Sequence, residues 1–455
     1  PMICRRKRWW VISCKAFRPN TSIKDDAVDW WLELSLPVRL IVLFLVGVTL
    51  AGQLNRAIYR WTWHPLNRDP WTPPLEGAPP RQWYDRIPVF GWLTISRESA
   101  LHPTAYWVQP LLIELGMGFF LAWFYHFSIT GGQLPQVIGV SPDALVLHGF
   151  FLRFSVLVAL MVIATFIDFD TRIIPDQVTV PGLLLGLLLC AWLPQSALPI
   201  PEPPLFYQTG FERHVDPSFQ VVAAPMLATT PAPWYEPYNG PWGLGLGLLL
   251  VSLWWLAIAP KIVWLRGSFN KAIRIWVGSF RRYALNWFYL GLLLLLWVLV
   301  GAVWLWCGTV SWQAVLTGLL GMGFGGMLIW LVRIAAGVAM GKEAMGFGDV
   351  TLMAMIGVYV GWQPVTVIFF LAPCIACVFA VIRWLMTGDA YLAFGPYLCM
   401  ATLAVILGWG HFWQQYGPIL QLGGWLPALF LSLPLVLGVM LAIWGWIKWN
   451  LIYRE

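Results

Sequence analysis

The sequence predicts an all-α membrane protein built as a polytopic bundle of transmembrane helices. Of its 455 residues, 59% are hydrophobic and only 11% are charged, and the mean hydropathy is +0.70. Soluble domains carry about 25% charged residues, so lipid must cover most of the apolar surface. The 32 tryptophans agree with this, because indole rings favour membrane interfaces.

Eleven hydrophobic segments follow along the chain. A spanning helix needs about 20 predominantly apolar residues. Apolar runs of suitable length lie near residues 38–58, 108–128, 148–167, 177–195, 242–260, 285–306, 311–333, 363–384, 391–410 and 426–448. An eleventh segment, 350–361, has a helical pattern but is short. We expect it to cross only part of the bilayer or to line a cavity.

The segments divide the chain into five regions. These are a basic N-terminal tail (1–36), an N-terminal part with a cytoplasmic loop (37–128), a first aspartate region (129–195), an inserted outer loop with two spans and a basic inner loop (196–310), and a second aspartate region with the C-terminal spans (311–455).

The basic residues predict the orientation. Loops 59–107 and 261–284 are rich in arginine and lysine, whereas the loops on the other side carry only Arg213. Cytoplasmic loops hold the excess of basic residues, so the two basic loops are predicted to be cytoplasmic. Eleven crossings then place the N-terminus outside. The basic run at residues 5–8 argues against this placement.

Two aspartates at the ends of apolar runs are the candidate catalytic residues. Asp168 closes the run 148–167, and Asp349 follows the glycine-containing stretch Gly346, Phe347 and Gly348. An acid beside membrane-embedded residues is costly and therefore indicates function. Both are predicted at the same cytoplasmic depth, although they are far apart in sequence.

Such a pair suits hydrolysis of a peptide bond. Two neighbouring carboxyl groups share a proton and titrate as a unit. The ionised member accepts a proton from water while the protonated member polarises the scissile carbonyl. Gly346 and Gly348 lack side chains, so a substrate backbone could approach closely.

Structural roles for these and nearby residues stay open. Asp349 could cap a helix, and Asp168 could be a solvated residue at a helix end. Asp176, after Pro175, is predicted to cap the next helix. Glu114 is expected to be buried near the cytoplasmic face, where it orders the site or binds a basic partner. Lys342 and Glu343 could form a loop ion pair.

The motifs resemble those of the type IV prepilin peptidases, membrane aspartyl proteases of the GxGD type. The stretch 167–176, IDFDTRIIPD, is similar to the family's first catalytic motif, and 342–350, KEAMGFGDV, to its second. Stretches 52–60, 85–93 and 110–114 resemble the N-terminal part, and 393–396 a later turn. The order of the motifs also agrees with the family.

The resemblance implies an aspartic-type endopeptidase of the cytoplasmic (inner) membrane, serving a type IV pilus or type II secretion system. Its partners would be the leader peptides of prepilins or pseudopilins, and membrane lipid. Asp168 and Asp349 would be catalytic, with Asp176, Glu114, Glu343 and Lys342 supporting them. Many bacterial members also N-methylate the product with S-adenosylmethionine.

Two departures from the family affect the cofactors. Residues 60–105 contain no cysteine, whereas many relatives carry two C-x-x-C pairs there that bind zinc. We therefore expect no metal and place methylation in doubt. Cys374 and Cys377 form a C-x-x-C pair inside an apolar span, where helix packing is the simpler explanation.

Other functions remain open at this point. A proton-coupled transporter could use Asp168 and Glu114, although no repeated halves are evident. The chain could also be an inactive scaffold for pilus or secretion assembly. A presenilin-like protease shares the G-x-G-D turn, but the stretch around Asp168 fits the prepilin group better. No nucleic-acid partner is expected, because basic stripes interleaved with aromatics are missing.

Overall fold

The computed structural model describes most of the chain. The described residues are 30–62, 69–74, 77–99, 101–102, 105–132, 144–198, 236–258, 278, 284–340, 345–388, 393–420, 428–433, 436, 439–440 and 443.

The described part of the chain is helical and contains no strand. Its α-helices are α1 (Leu36–Arg60), α2 (Phe90–Ile95), α3 (Val108–Ile129), α4 (Ala144–Thr171), α5 (Asp176–Trp192), α6 (Pro241–Ile258), α7 (Ala284–Trp306), α8 (Thr309–Met340), α9 (Phe347–Val360), α10 (Trp362–Thr387) and α11 (Gly395–Leu420). Single 3₁₀ turns lie at Trp83–Arg86, Ser96–Glu98, Pro194–Ser196 and Glu236–Asn239.

Eight of these described helices are long and apolar enough to cross a membrane, namely α1, α3, α4, α6, α7, α8, α10 and α11. The helices α5 and α9 are apolar but shorter. The protein is therefore an all-α polytopic membrane bundle, as the composition predicts.

Ten of the eleven predicted segments coincide with helices. Of the remaining predicted segment, 426–448, the structure describes 428–433, 436, 439–440 and 443, all of them helical, whereas most of the N-terminal tail and of the loops 196–241 and 261–284 lies outside the described residues. The observed helices are longer than the apolar runs at several ends, and α8 continues to Met340.

The short helix α9 lies inside the bundle. Every residue from Asp349 to Val360 is buried, and 14 residues span only about 21 Å at the usual helical rise. A helix that is apolar on all sides is a core helix. Helix α9 is therefore enclosed by protein, while its crossing of only part of the bilayer, or its lining of a cavity, stays a prediction. Gly361, with φ of 85°, allows the turn into α10.

Helices α8 and α9 pack through glycines. A Cβ atom added to Gly321 would lie 2.1 Å from the carbonyl oxygen of Gly357, and one added to Gly357 would lie 2.2 Å from that of Gly321. Small residues allow backbones to approach closely where lipid supplies no hydrophobic driving force between helices. This contact fixes the position of α9, which carries Asp349.

A buried arginine caps the other end of α9. Arg153 of α4 is 2% exposed, and it donates hydrogen bonds to the carbonyl oxygens of Val358 (3.0 Å) and Tyr359 (3.0 Å). The last carbonyls of a helix have no partner within it, and a cation there is favourable. Arg153 therefore holds the C-terminus of α9 against α4, the helix that carries Asp168.

Candidate active site

Asp168 lies in the last turn of α4. It is 5% exposed, and its Oδ2 accepts a hydrogen bond of 3.1 Å from the backbone N–H of Gly395. The helix ends three residues later, and Arg172 has a φ of 58°. Asp170 is exposed, as expected from its position two residues further along a continuing helix.

Asp349 lies in the first turn of α9. It is 7% exposed, and its carboxyl group interacts electrostatically with that of Asp168. The structure thus brings together two acids from the C-terminus of one helix and the N-terminus of another. Their catalytic role stays a prediction.

Gly395 and Ile174 form the surroundings of the pair. A Cβ atom on Gly395 would lie 2.7 Å from Oδ2 of Asp168 and 2.9 Å from Cδ1 of Ile174. Because Gly395 begins α11, the absent side chain lets a helix N-terminus reach the carboxyl group, an arrangement that suits an anion. Sequence reasoning did not assign this role to Gly395, although the stretch 393–396 was noted as a family-like turn.

The segment before Asp349 is partly helical rather than a loop. Gly346 is the N-cap, while Phe347 and Gly348 already belong to the first turn of α9, so the prediction of an active-site loop at these residues is wrong in part. A Cβ atom on Gly348 would lie 2.9 Å from Cβ of Ile174. Gly348 therefore serves helix packing here and does not leave an open approach.

Arg333 also lies near the residues before Asp349, a position that the sequence pattern did not indicate. Its Nε donates a hydrogen bond of 3.0 Å to the carbonyl oxygen of Met345, and its guanidinium carbon lies 5.7 Å from the centre of the Phe347 ring. It thus attaches α8 to the chain directly before Asp349. A lone arginine inside an otherwise apolar span is the signal that would have identified it.

The other predicted supporting residues have different outcomes. Asp176 is exposed and is the first helical residue of α5, whereas Pro175 is the N-cap. The prediction that Asp176 caps this helix is therefore wrong. Lys342 and Glu343 lie outside the described residues.

Glu114 is buried, as predicted, with an exposure of 2%. Its carboxyl oxygens accept hydrogen bonds from the side chains of Trp92 (2.8 Å) and Asn55 (3.1 Å) and from the backbone N–H of Val89. All of these donors are neutral, so the expected basic partner is not what Glu114 binds. It orders the segment between α1 and α3.

Asp85 is the second buried acid of that segment. Burial acts to raise the pKa of Asp85, but hydrogen bonds from Gln82 N–H, Thr94 and Arg97, together with the Arg97 charge, outweigh it. The pKa therefore lies below its ordinary value. The lowered pKa of Asp85 stabilises the folded protein at pH values above the pKa that this carboxyl group has in the unfolded chain. The stabilisation is lost as the pH falls through the pKa of Asp85 in the folded protein.

Metal ligands do not cluster in the described part of the chain, where no group of three or more His, Cys, Asp or Glu residues could hold an ion. Cys374 and Cys377 are exposed on α10. The expectation that they serve helix packing within the bundle is therefore wrong, since they face outward.

The fold and the site define a helical membrane protein in which two aspartates from distant helices meet at one end of the bundle. A model described as "Type IV leader peptidase family" matches residues 155–207 and 280–382, which include both aspartates. Over these residues the chain is similar to the type IV leader peptidase family. The unmatched residues between the two parts fall within the predicted insertion, whose bounds stay a prediction.

Several curated proteins are similar to parts of the chain. A "Type 4 prepilin-like proteins leader peptide-processing enzyme" of Escherichia coli is 34% identical over 169 residues, covering 36% of this chain and 52% of that protein. A "Prepilin leader peptidase/N-methyltransferase" of Pseudomonas aeruginosa is 34% identical over 95 residues, covering 20% and 32%. One of the same name from Aeromonas salmonicida is 32% identical over 89 residues, covering 19% and 30%.

The chain thus spans about half, or less, of the length of these relatives. No solved structure matches it.

Proposed function

We propose that this protein is a membrane aspartic endopeptidase that removes the leader peptide from type IV prepilins or pseudopilins. The observation that carries the proposal is that Asp168 and Asp349 are both buried around Ile174, against which Gly395, the hydrogen-bond donor to Asp168, and Gly348, the residue before Asp349, both pack. The match of residues 155–207 and 280–382 to the leader peptidase family model supports the substrate class.

The reaction uses the two carboxyl groups with one proton between them. The ionised carboxyl accepts a proton from a water molecule, whose oxygen attacks the scissile carbonyl carbon. The protonated carboxyl donates its hydrogen to the carbonyl oxygen. When the tetrahedral intermediate collapses, the C–N bond breaks, the leaving nitrogen takes the proton from the carboxyl that gained it from water, and the other carboxyl takes back a hydroxyl proton, which restores the pair with one proton. The Gly395 N–H holds the Asp168 carboxyl in a fixed orientation during these steps.

The cytoplasmic side is proposed for this site. Helix α1 ends and α3 begins at the segment that carries Arg60, Arg81, Arg86 and Arg97. Alternating crossings by α3 and α4 return the chain to that side at Asp168. The excess of basic residues then favours the cytoplasm, where a prepilin leader would be presented.

An apolar groove between α3, α4 and α11 supports the entry of a membrane-embedded substrate. The groove has a volume of about 640 Å³. Its walls come from α3 (Val108, Gln109, Leu112, Ile113, Gly116, Met117, Phe120), from α4 (Val158, Val162, Phe166), from Ala105 and from Leu403 of α11. The α4 residues follow one face of the helix toward the end that carries Asp168, while Asp168 itself, two positions after Phe166, lies on a different face. We propose that the apolar segment following the leader lies here.

Filling this groove is expected to weaken substrate binding. In Gly116→Leu the new side chain enters the groove, and a Cβ atom at this position meets no atom within 4 Å. Leucine also favours the helix more than glycine does. KM for a prepilin substrate should rise roughly tenfold, with kcat little changed, since about 1–3 kcal/mol of apolar burial is displaced.

The matched control is Gly291→Leu on α7, where a Cβ atom also meets no atom within 4 Å. Kinetics in detergent micelles with a purified prepilin measure both variants. An unchanged KM in Gly116→Leu, or an equal rise in both variants, would contradict this substrate path.

A mass measurement tests the proposed function. The protein is co-expressed with a prepilin-like partner in a host that lacks its own leader peptidase, and the partner's mass is determined. We expect the partner to lose its leader completely, and the mass also reports any methyl group on the new N-terminus. An unprocessed partner in the presence of folded, membrane-inserted protein would refute the proposal and favour the assembly-scaffold hypothesis.

Methylation is not part of the proposal. The relatives' names include N-methyltransferase, but the cavity beside Glu114 has a volume of only about 30 Å³. The larger groove is lined almost wholly by apolar side chains, whereas S-adenosylmethionine is charged. Neither cavity fits this cofactor, and the proposed cleavage reaction does not use it.

A further inference from the structure

The end of α1 and the segment between α1 and α3 together contain five described arginines, and three of them are paired with acids. The pairs are Arg60–Asp69 (3.3 Å), Arg81–Glu98 (2.7 Å) and Arg97–Asp85 (2.8 Å). The remaining acid, Glu114, accepts its hydrogen bonds from neutral donors. Every described carboxyl group of this segment is therefore already engaged.

Arg56 and Arg86 have no carboxylate partner among the described residues and contact the same indole ring instead. Their guanidinium carbons lie 5.5 Å and 5.0 Å from the centre of the Trp71 ring. The ring quadrupole attracts each cation, but the two like charges repel one another. An anion that approaches both guanidinium groups would offset this repulsion, because charge-assisted hydrogen bonds from guanidinium to an anion are strong.

The two arginines lie at the level of a membrane surface. Arg56 is in the last turns of α1, a helix long and apolar enough to span the bilayer. Trp71 is 40% exposed, and the aromatic side chains nearby in sequence are exposed too: Trp61 (40%), Trp83 (75%) and Tyr84 (37%). Exposed indole and phenol rings are typical of the headgroup region.

We propose that Arg56, Arg86 and Trp71 form a binding site for the headgroup of an anionic phospholipid. The phosphodiester oxygens accept hydrogen bonds from the two guanidinium groups, and the exposed rings contact the glycerol and the upper acyl chain. The exposed aromatic surface favours a lipid over a free phosphate, which would gain nothing from it. The site is separate from the aspartate pair, so the proposal does not depend on leader cleavage.

Native mass spectrometry of the purified full-length protein tests the site. Phosphatidylglycerol and phosphatidylcholine are added in turn at matched concentrations, and the fraction of lipid-bound protein is compared. The wild-type protein should retain phosphatidylglycerol about tenfold better than phosphatidylcholine. The double variant Arg56→Gln/Arg86→Gln should lose this preference.

Two further variants distinguish the loss of this site from a general loss of positive charge and from misfolding. Arg60→Gln removes the same charge from the same helix but outside the proposed site, and it should keep the preference. Arg56→Lys/Arg86→Lys keeps both charges and should retain most of it.

Three outcomes would overturn the proposal. One is equal retention of phosphatidylglycerol by the wild type and the double glutamine variant. Another is equal retention of both lipids by the wild type. The third is displacement of phosphatidylglycerol by millimolar inorganic phosphate, which would indicate a free-anion site.

Discussion

Replacing either Asp168 or Asp349 with asparagine is expected to abolish leader cleavage while the protein stays folded. Each substitution keeps the shape of the side chain but removes a group that accepts or donates the shared proton. General acid–base catalysis contributes about 10²–10⁴-fold, and losing one member also removes the proton sharing of the pair. The rate at which each variant cleaves a purified prepilin, measured by mass spectrometry, should fall by at least this factor.

The controls are two aspartates close in sequence to Asp168. Asp170→Asn and Asp176→Asn alter exposed acids and should retain most of the activity, while an equal loss in these variants would indicate a general electrostatic effect. Thermal unfolding in detergent verifies that the inactive variants are folded. Full cleavage by either Asp168→Asn or Asp349→Asn would remove that residue from the mechanism.

Substituting alanine for Gly321 is expected to destabilise the bundle strongly. The new Cβ atom would lie 2.1 Å from the carbonyl oxygen of Gly357 and 2.9 Å from Cα of Gly361. Both contacts are with backbone, so α8 and α9 must separate. Overpacking of this kind costs about 1–3 kcal/mol, and sometimes more. Because α9 carries Asp349, leader cleavage should decrease together with the unfolding temperature.

Gly301→Ala on α7 is the matched control, since a Cβ atom there meets no atom within 4 Å. Alanine favours a helix over glycine by about 1 kcal/mol, so this variant should be as stable as the wild type or slightly more stable. Thermal unfolding in detergent compares the two. If Gly321→Ala unfolds at the wild-type temperature, the close contact between α8 and α9 is not present in the protein.

The helices themselves could be predicted from the sequence, because an apolar run of suitable length has few alternatives in a bilayer. Ten predicted segments coincide with helices for this reason. The bounds were less accurate, since α8 and α11 extend beyond their most apolar residues. The two aspartates could be selected because an acid beside a membrane-embedded run is rare and costly.

The surroundings of the aspartates could not be predicted in the same way. Gly395 approaches Asp168 from a helix far along the chain, and Arg333 holds the turn before Asp349 from a third helix. Gly348 contributes to packing against Ile174, although its place in the motif suggested open space for a substrate. Glu114 is buried as expected, but only its contacts revealed neutral partners.

The sequence by itself determined that this protein is a membrane bundle with two acids at helix ends. The hydropathy of a segment, and the energetic cost of placing a charge in the membrane, depend on that segment alone. Only the tertiary structure decided that α9 is surrounded by protein, that its ends are held by Arg153 and Arg333, and that the N-terminus of α11 contacts Asp168. These features depend on contacts between distant segments, and such contacts leave no periodic pattern along the chain.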